Sequence, residues 1–212
     1  MRGSLDGVER AMLCNLMTEL GPDARTLLEP WTTHDLAAHL VIREHDAAAA
    51  PGLVVPGAWG RFAERRRKAL TRTDYASLVT KIRSGPPRGF FRLGWVRRGP
   101  NLNEFFVHHE DVRRANGRDP RVDVAALDEA LWRNVALAPW FLARRLRGVG
   151  LVLERAGTGQ SIRARRGTPT ARLTGPPGEI LLYLFGRQRN AQVELTGSRQ
   201  AVHAVEDARF GI

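Results

Sequence analysis

The sequence predicts a mainly α protein in which a helical bundle is followed by a small α+β domain. Apolar residues recur at three- and four-residue intervals through the first two thirds of the chain, and Gly/Pro breaks separate the periodic stretches. After Gly148 the pattern changes to alternation, as in VGLVLER and QSIRARR. The expected domains are therefore residues 1–147 and 148–212.

Residues 5–20 place Leu5, Val8, Met12, Leu16 and Leu20 on one stripe and stop at Gly21-Pro22, which reads as a first helix. Pro30 prevents a helix from continuing through Glu29, because the residue before proline is pushed out of the α region. The next helix starts after Thr32, where Asp35 three residues on completes a capping box, and its face carries Leu36, His39, Leu40 and Arg43. PGLVVPGAWG at 51–60 reads as an irregular loop lying over part of the bundle. Helices are expected over 61–70 and 73–83, the latter a third bundle helix, and GFFRLGW at 89–95 is an aromatic packing segment or pocket wall.

NLNEFFVHHEDVRRANG at 101–117 is the most informative stretch. As a helix it puts Asn101, Glu104, Phe105, His108, Val112 and Ala115 inward and Phe106, His109, Glu110, Arg113 and Arg114 outward. Asn116-Gly117 supplies a left-handed cap. Glu104 and His108 are four residues apart, with Cβ atoms roughly 5–6 Å from each other, so one ion could take both. Such a pair also serves as a solvated contact or a core hydrogen bond. His39, projecting from the apolar stripe of another helix, supplies the third donor that makes His39, Glu104 and His108 a candidate divalent-metal set. His34 and His45 share that inward face less well and rank second.

Past Pro120, Asp123 is the expected N-cap of a last bundle helix with Leu127, Leu131 and Val135 on its stripe, ended or kinked at Pro139. Beyond it come the strands VGLVLER, QSIRARR and TPTARLTG, a Gly-Pro-Pro-Gly turn, the helix EILLYLFGRQ and the strand AQVELTG.

Composition bounds the function. No apolar run approaches the ~20 residues of a membrane span, and the charged N-terminus lacks the apolar core of a secretory signal, so a cytoplasmic location is expected. The net charge of +11 suits an acidic ligand. Its arginines are scattered as short runs at 65–68, 97–98, 113–114, 144–145 and 165–166 rather than gathered in one aromatic-interleaved stripe, which argues against nucleic acid. The single cysteine, Cys14, cannot form an internal disulfide and sits where a small core residue belongs.

WTTHDLAAHL followed by NEFFVHHEDVRRA resembles the DinB-like bundles of the mycothiol-dependent maleylpyruvate isomerase group, and GPPGEILLYLFGR resembles their C-terminal domain. The nearest likeness is to an actinobacterial subgroup described only as metal-binding. The resemblance implies a DinB-like four-helix bundle and a metal site at His39, Glu104 and His108, with zinc the ion that two imidazoles and a carboxylate suit best. It also implies mycothiol as a thiol cosubstrate, its sulfur at an open metal position between the bundle and the C-terminal domain. Arg187 would be the catalytic arginine holding a small acidic substrate, although its place after EILLYLFG equally suits a helix C-cap. Asp111 is placed to support His108 or to lie exposed.

Two functions follow: a metal- and thiol-dependent isomerase or S-transferase, and a non-enzymatic ligand- or protein-binding module with a structural metal. Either would act as a monomer or homodimer.

Overall fold

The structure, a computed structural model, describes residues 4–53, 55, 57–87, 89–121 and 124–211. Two compact units divide the chain, Met1–Pro120 and Arg121–Ile212.

The first unit is built from α1 (Leu5–Leu20), α2 (Thr33–His45), α3 (Ala58–Leu70), α4 (Tyr75–Ser84), the single turn α5 (Gly94–Val96) and α6 (Leu102–Ala115). Helices α1, α2, α4 and α6 form a four-helix bundle whose core joins Leu13, Cys14 and Met17 to Leu36 and Leu40, Leu78 and Ile82, and Phe105 and Val112. α3 packs on the outside of α2. The start of α2 has the expected capping box: the Thr32 amide donates to Asp35, and the Thr32 side chain accepts from the N3 amide. Asp74 caps α4 by accepting from the Ser77 amide at 2.8 Å.

α1 buries only part of the stripe its apolar periodicity suggests, with Leu16 in the core and Leu20 packed against it. Val8 and Met12 are 42% and 40% exposed, whereas Asp6, Glu9 and Arg10 are buried with Leu13, Cys14 and Met17. Paired charges explain the rotation. Arg97 pairs with Asp6 at 3.0 Å and His109 with Glu9 at 3.1 Å. Arg10 grips Glu44 with both guanidinium nitrogens, at 2.5 and 2.6 Å. An ionised group is tolerated in a core when a partner meets it with good geometry, and then hydrophobic pattern alone misplaces the helix face. Cys14 is fully buried beside the Val79 carbonyl, and burial pushes its thiol up to about 11, so it is a core residue.

Two loop expectations are corrected. Residues 51–60 are not wholly irregular: a 3-10 turn occupies Ala50–Leu53 and α3 begins at Ala58. The 89–95 segment is not packed in, since Phe90, Leu93 and Trp95 are 53%, 47% and 58% exposed. The helical path into α6 starts early, running from α5 through a π-type turn at Arg97–Asn101 that accommodates Pro100. α6 ends as expected at Asn116, with Gly117 at φ 70°, where a side chain would be strained.

The second unit holds α7 (Ala125–Leu137), the short α8 (Pro139–Leu142), β1 (Gly150–Arg155), β2 (Ser161–Arg165), β3 (Thr170–Gly175), α9 (Pro177–Leu184), β4 (Glu194–Thr196) and α10 (Arg199–Glu206). The sheet order is β2-β1-β3-β4, with β1 parallel to β3 and antiparallel to β2, and β4 antiparallel to β3. Leu151 and Leu153 pair across with Ala171 and Leu173, and all four are fully buried. The change from helix to strand falls at Gly150, close to the expected 147/148 limit, yet the units divide earlier. α7, expected as the last bundle helix, packs instead on α9, a helix buried along its whole length. The Gly-Pro-Pro-Gly run is not only a turn, because Pro177 and Gly178 already lie in the first turn of α9. α10 has no counterpart among the expected elements; Ser198 caps it by accepting from the Ala201 amide. The expected N-cap Asp123 lies outside the described residues.

The Arg10–Glu44 pair gives a stability test. The Glu44 side chain is fully buried, so Glu44→Ala leaves an uncompensated guanidinium in the bundle and should cost about 3–5 kcal/mol in denaturant unfolding.

Candidate metal centre

α2 and α6 face each other across the bundle so that His39, from the middle of α2, meets Glu104 and His108, one turn apart on α6. Among the described residues, their donor atoms form a group that lies within 4.8 Å of one another. Glu104 Oε1 is the common point: His39 Nε2 lies 3.2 Å from it and His108 Nε2 3.1 Å. The two imidazole rings meet edge to face with centroids 5.2 Å apart.

The far nitrogens differ. His108 Nδ1 lies 2.9 Å from Asp111 Oδ2, a carboxylate with no exposed surface, and a proton on Nδ1 donated there leaves Nε2 to face the cluster. Asp111 is therefore the supporting carboxylate of His108 and not an exposed residue. His39 Nδ1 is buried without a hydrogen-bond partner, and its ring lies beside Trp31 at 5.3 Å between centroids.

Charge in the cluster is set by burial and by its neighbours. Burial opposes ionisation of Glu104, but Arg43, His108 and His39 outweigh it and hold the carboxyl well below its ordinary value. Burial would lower His108, yet Asp111 and Glu104 overcome it and the net direction is upward. His39 moves down, through burial first and then the positive charge of His108 and Arg43. With one carboxylate oxygen facing two Nε2 atoms, the cluster needs a positive centre between them, either a proton or a cation.

Two of the three donor separations suit a divalent ion. Four-coordinate donors at about 2.0–2.1 Å from an ion stand roughly 3.3 Å from one another, and the observed 3.1 and 3.2 Å are close to that spacing. Two imidazoles and a carboxylate leave at least one position open, as catalytic rather than structural zinc sites do. The side chains of His39 and Glu104 keep slightly more exposure, 14% and 18%, than that of His108 at 8%.

His34 Nε2 bonds the Thr73 carbonyl at 3.1 Å and His45 has a buried, unpartnered Nε2, so neither joins the group. His109, expected outward, is 2% exposed and pairs with Glu9, because α6 is covered on nearly every side. In the second unit, Arg187 donates from Nη1 to the Phe185 carbonyl at 2.6 Å, the geometry of a side chain capping the end of α9. Arg43 was legible only as a member of the α2 face; its guanidinium Nε stands 3.5 Å from Glu104 Oε1.

A crystal structure of the mycothiol-dependent maleylpyruvate isomerase aligns over 92% of this chain and 90% of its own, with a TM-score of 0.52 at 16% identity. A histidine-to-alanine mutant of that isomerase aligns over the same shares, with a TM-score of 0.53 at 16% identity. The chain has the fold of these isomerases. No family model matches the sequence, and no curated protein does. The DinB-like likeness read from the two helical motifs is thus matched by a likeness of fold that spans both units. No helix among the described residues is long and apolar enough to cross a membrane.

Removing the carboxylate behind His108 should be felt by any cation offered to the cluster. Asp111→Asn should weaken zinc or cobalt binding about 10–100-fold in a competition titration while leaving one site per chain.

Proposed function

We propose that this protein binds one divalent cation, zinc in preference, at His39, Glu104 and His108, and that it uses a low-molecular-weight thiol of the mycothiol type in an isomerisation or S-transfer on a small acidic substrate. The observation that carries the reading is the convergence of two imidazole Nε2 atoms on one carboxylate oxygen, with the second nitrogen of His108 fixed by Asp111. A structural site in a bundle closes with four protein ligands, whereas the three donors gathered here among the described residues would keep a position for an exogenous group. The neighbouring solved structures are named for mycothiol and maleylpyruvate, and they supply the thiol and the acidic class of substrate.

An ion held by His39, Glu104 and His108 would supply Lewis acidity that lowers the pKa of a thiol. The protein's own residues do the remaining work. A proton on His108 Nδ1 donated to Asp111 would leave Nε2 as the nitrogen that faces the cluster. Glu104 offsets positive charge, and the apolar bundle core behind the site excludes water and strengthens every charge contact inside. Arg187 is proposed as the substrate-carboxylate anchor, a role in which its fork would pair bidentately and stabilise developing enolate charge. Its bond to the Phe185 carbonyl favours a second role, capping α9.

Metal analysis with a thiol titration tests the reading. His108→Ala should abolish stoichiometric metal, and the metal-loaded wild type should bind a small thiol with a shift in cobalt absorption. A purified protein that takes up neither cation nor thiol would sink the enzyme reading. Arg187→Lys should leave stability within about 0.5 kcal/mol if the residue only caps α9. Thiol-dependent turnover reduced 10-fold or more in that variant would assign it the substrate carboxylate.

A further inference from the structure

Arg43 lies four residues after His39 on α2, so both side chains rise from the same face toward α6. Its guanidinium is held on several sides. Nη1 donates to Asn101 Oδ1 at 2.8 Å, and Asn101, fully buried, donates in turn from Nδ2 to the Phe91 carbonyl at 3.2 Å. The guanidinium carbon sits 4.7 Å from the centroid of the Phe91 ring, a cation–π contact. Nε then faces Glu104 Oε1 at 3.5 Å, the same oxygen that the two imidazoles share.

This cation is 89% removed from solvent at its side chain, so it requires a carboxylate. The adjacent Glu44 is already engaged by both nitrogens of Arg10 and stands 3.9 Å from Arg43. Glu104, at 3.5 Å, is the closer of the two carboxylates. Asn101 is three residues before Glu104 on the same helical path, so the clamp and the carboxylate it serves move as one piece.

We infer that Arg43, locked by Asn101 and Phe91, is a positioning residue that holds the Glu104 carboxylate in the orientation the metal centre requires. The inference rests on the metal-binding reading of His39, Glu104 and His108. It adds a requirement that the three donors alone do not impose: a planar fork of fixed direction, because one group must face Asn101, Glu104 and an aromatic ring at once. A lysine ammonium has the charge but neither the fork nor the plane. Simple proximity of a second cation would act in the opposite direction, repelling a divalent ion and weakening its binding.

Cobalt titration, read by visible absorption and by competition with a chelator, separates these effects. Wild type should hold one cobalt per chain and His108→Ala none; failure of wild type to hold cobalt would overturn the metal reading and this inference with it. Given a loaded wild type, Arg43→Met and Arg43→Lys should both bind cobalt about 10–100-fold more weakly, with an altered absorption band and one site per chain. Phe91→Leu, on the segment outside the bundle, should give a loss of several-fold without changing the fold, and it serves as the readout if the Arg43 variants unfold. Cobalt affinity equal to or tighter than wild type in a folded Arg43→Met, or an unchanged affinity in Phe91→Leu, would overturn the positioning role while leaving the metal reading in place. Rescue by Arg43→Lys to wild-type affinity would assign the effect to charge alone and overturn it as well.

Discussion

One carboxylate oxygen ties together the polar cluster between two helices of the first unit. Glu104 Oε1 receives His39, His108 and Arg43, side chains from two helices, at 3.1 to 3.5 Å. A lone carboxylate on an inward helix face would be expensive to bury, and here the surrounding positive and hydrogen-bonding groups reverse that cost. The arrangement fixes how α2 and α6 are rotated and where along their lengths they meet, since a shift of one residue on either helix would carry its donors off the shared face. The apolar core below can then be filled by ordinary Leu and Phe packing.

The same principle recurs on α1. Asp6, Glu9 and Arg10 point inward and each finds a partner on another element, in Arg97, His109 and Glu44. The bundle is thus cross-linked by polar contacts as well as by hydrophobic area. Such contacts contribute little net stability against well-packed apolar replacements, but they select one pairing of helices over others that would bury similar surface.

These facts explain which features were legible in the sequence. The extents of α1, α2, α4 and α6 follow from caps and breakers: Gly21 after α1, Thr32 with Asp35 at α2, Asp74 and Gly85 around α4, and Asn116-Gly117 after α6. His39, Glu104 and His108 were readable because donor residues on otherwise apolar stripes are unusual and their spacing on α6 is one turn. The charged part of α1's buried face was not readable, because Asp6, Glu9 and Arg10 look solvated until their partners are known. His109 misled for the same reason, as Glu9 lies a hundred residues away in the chain. Arg43 carried no local signal, since its partners Asn101, Phe91 and Glu104 all come from a distant segment. α10 does show a Ser N-cap and two buried apolar positions, Ala201 and Val205, a pattern too short to stand out from its polar surroundings.

The partnership of α7 with α9 bears on how the chain can be taken apart. The visible change from helices to strands invites a cut near residue 147, but α7, with Leu131 and Val135 fully buried, packs against the wholly buried α9 on the other side of that cut. Severing there would leave each fragment with an uncovered apolar helix face, a surface that drives self-association. A dissection made near Pro120 instead keeps α7, α9 and the sheet on one polypeptide, and it leaves His39, Glu104 and His108 together on the other.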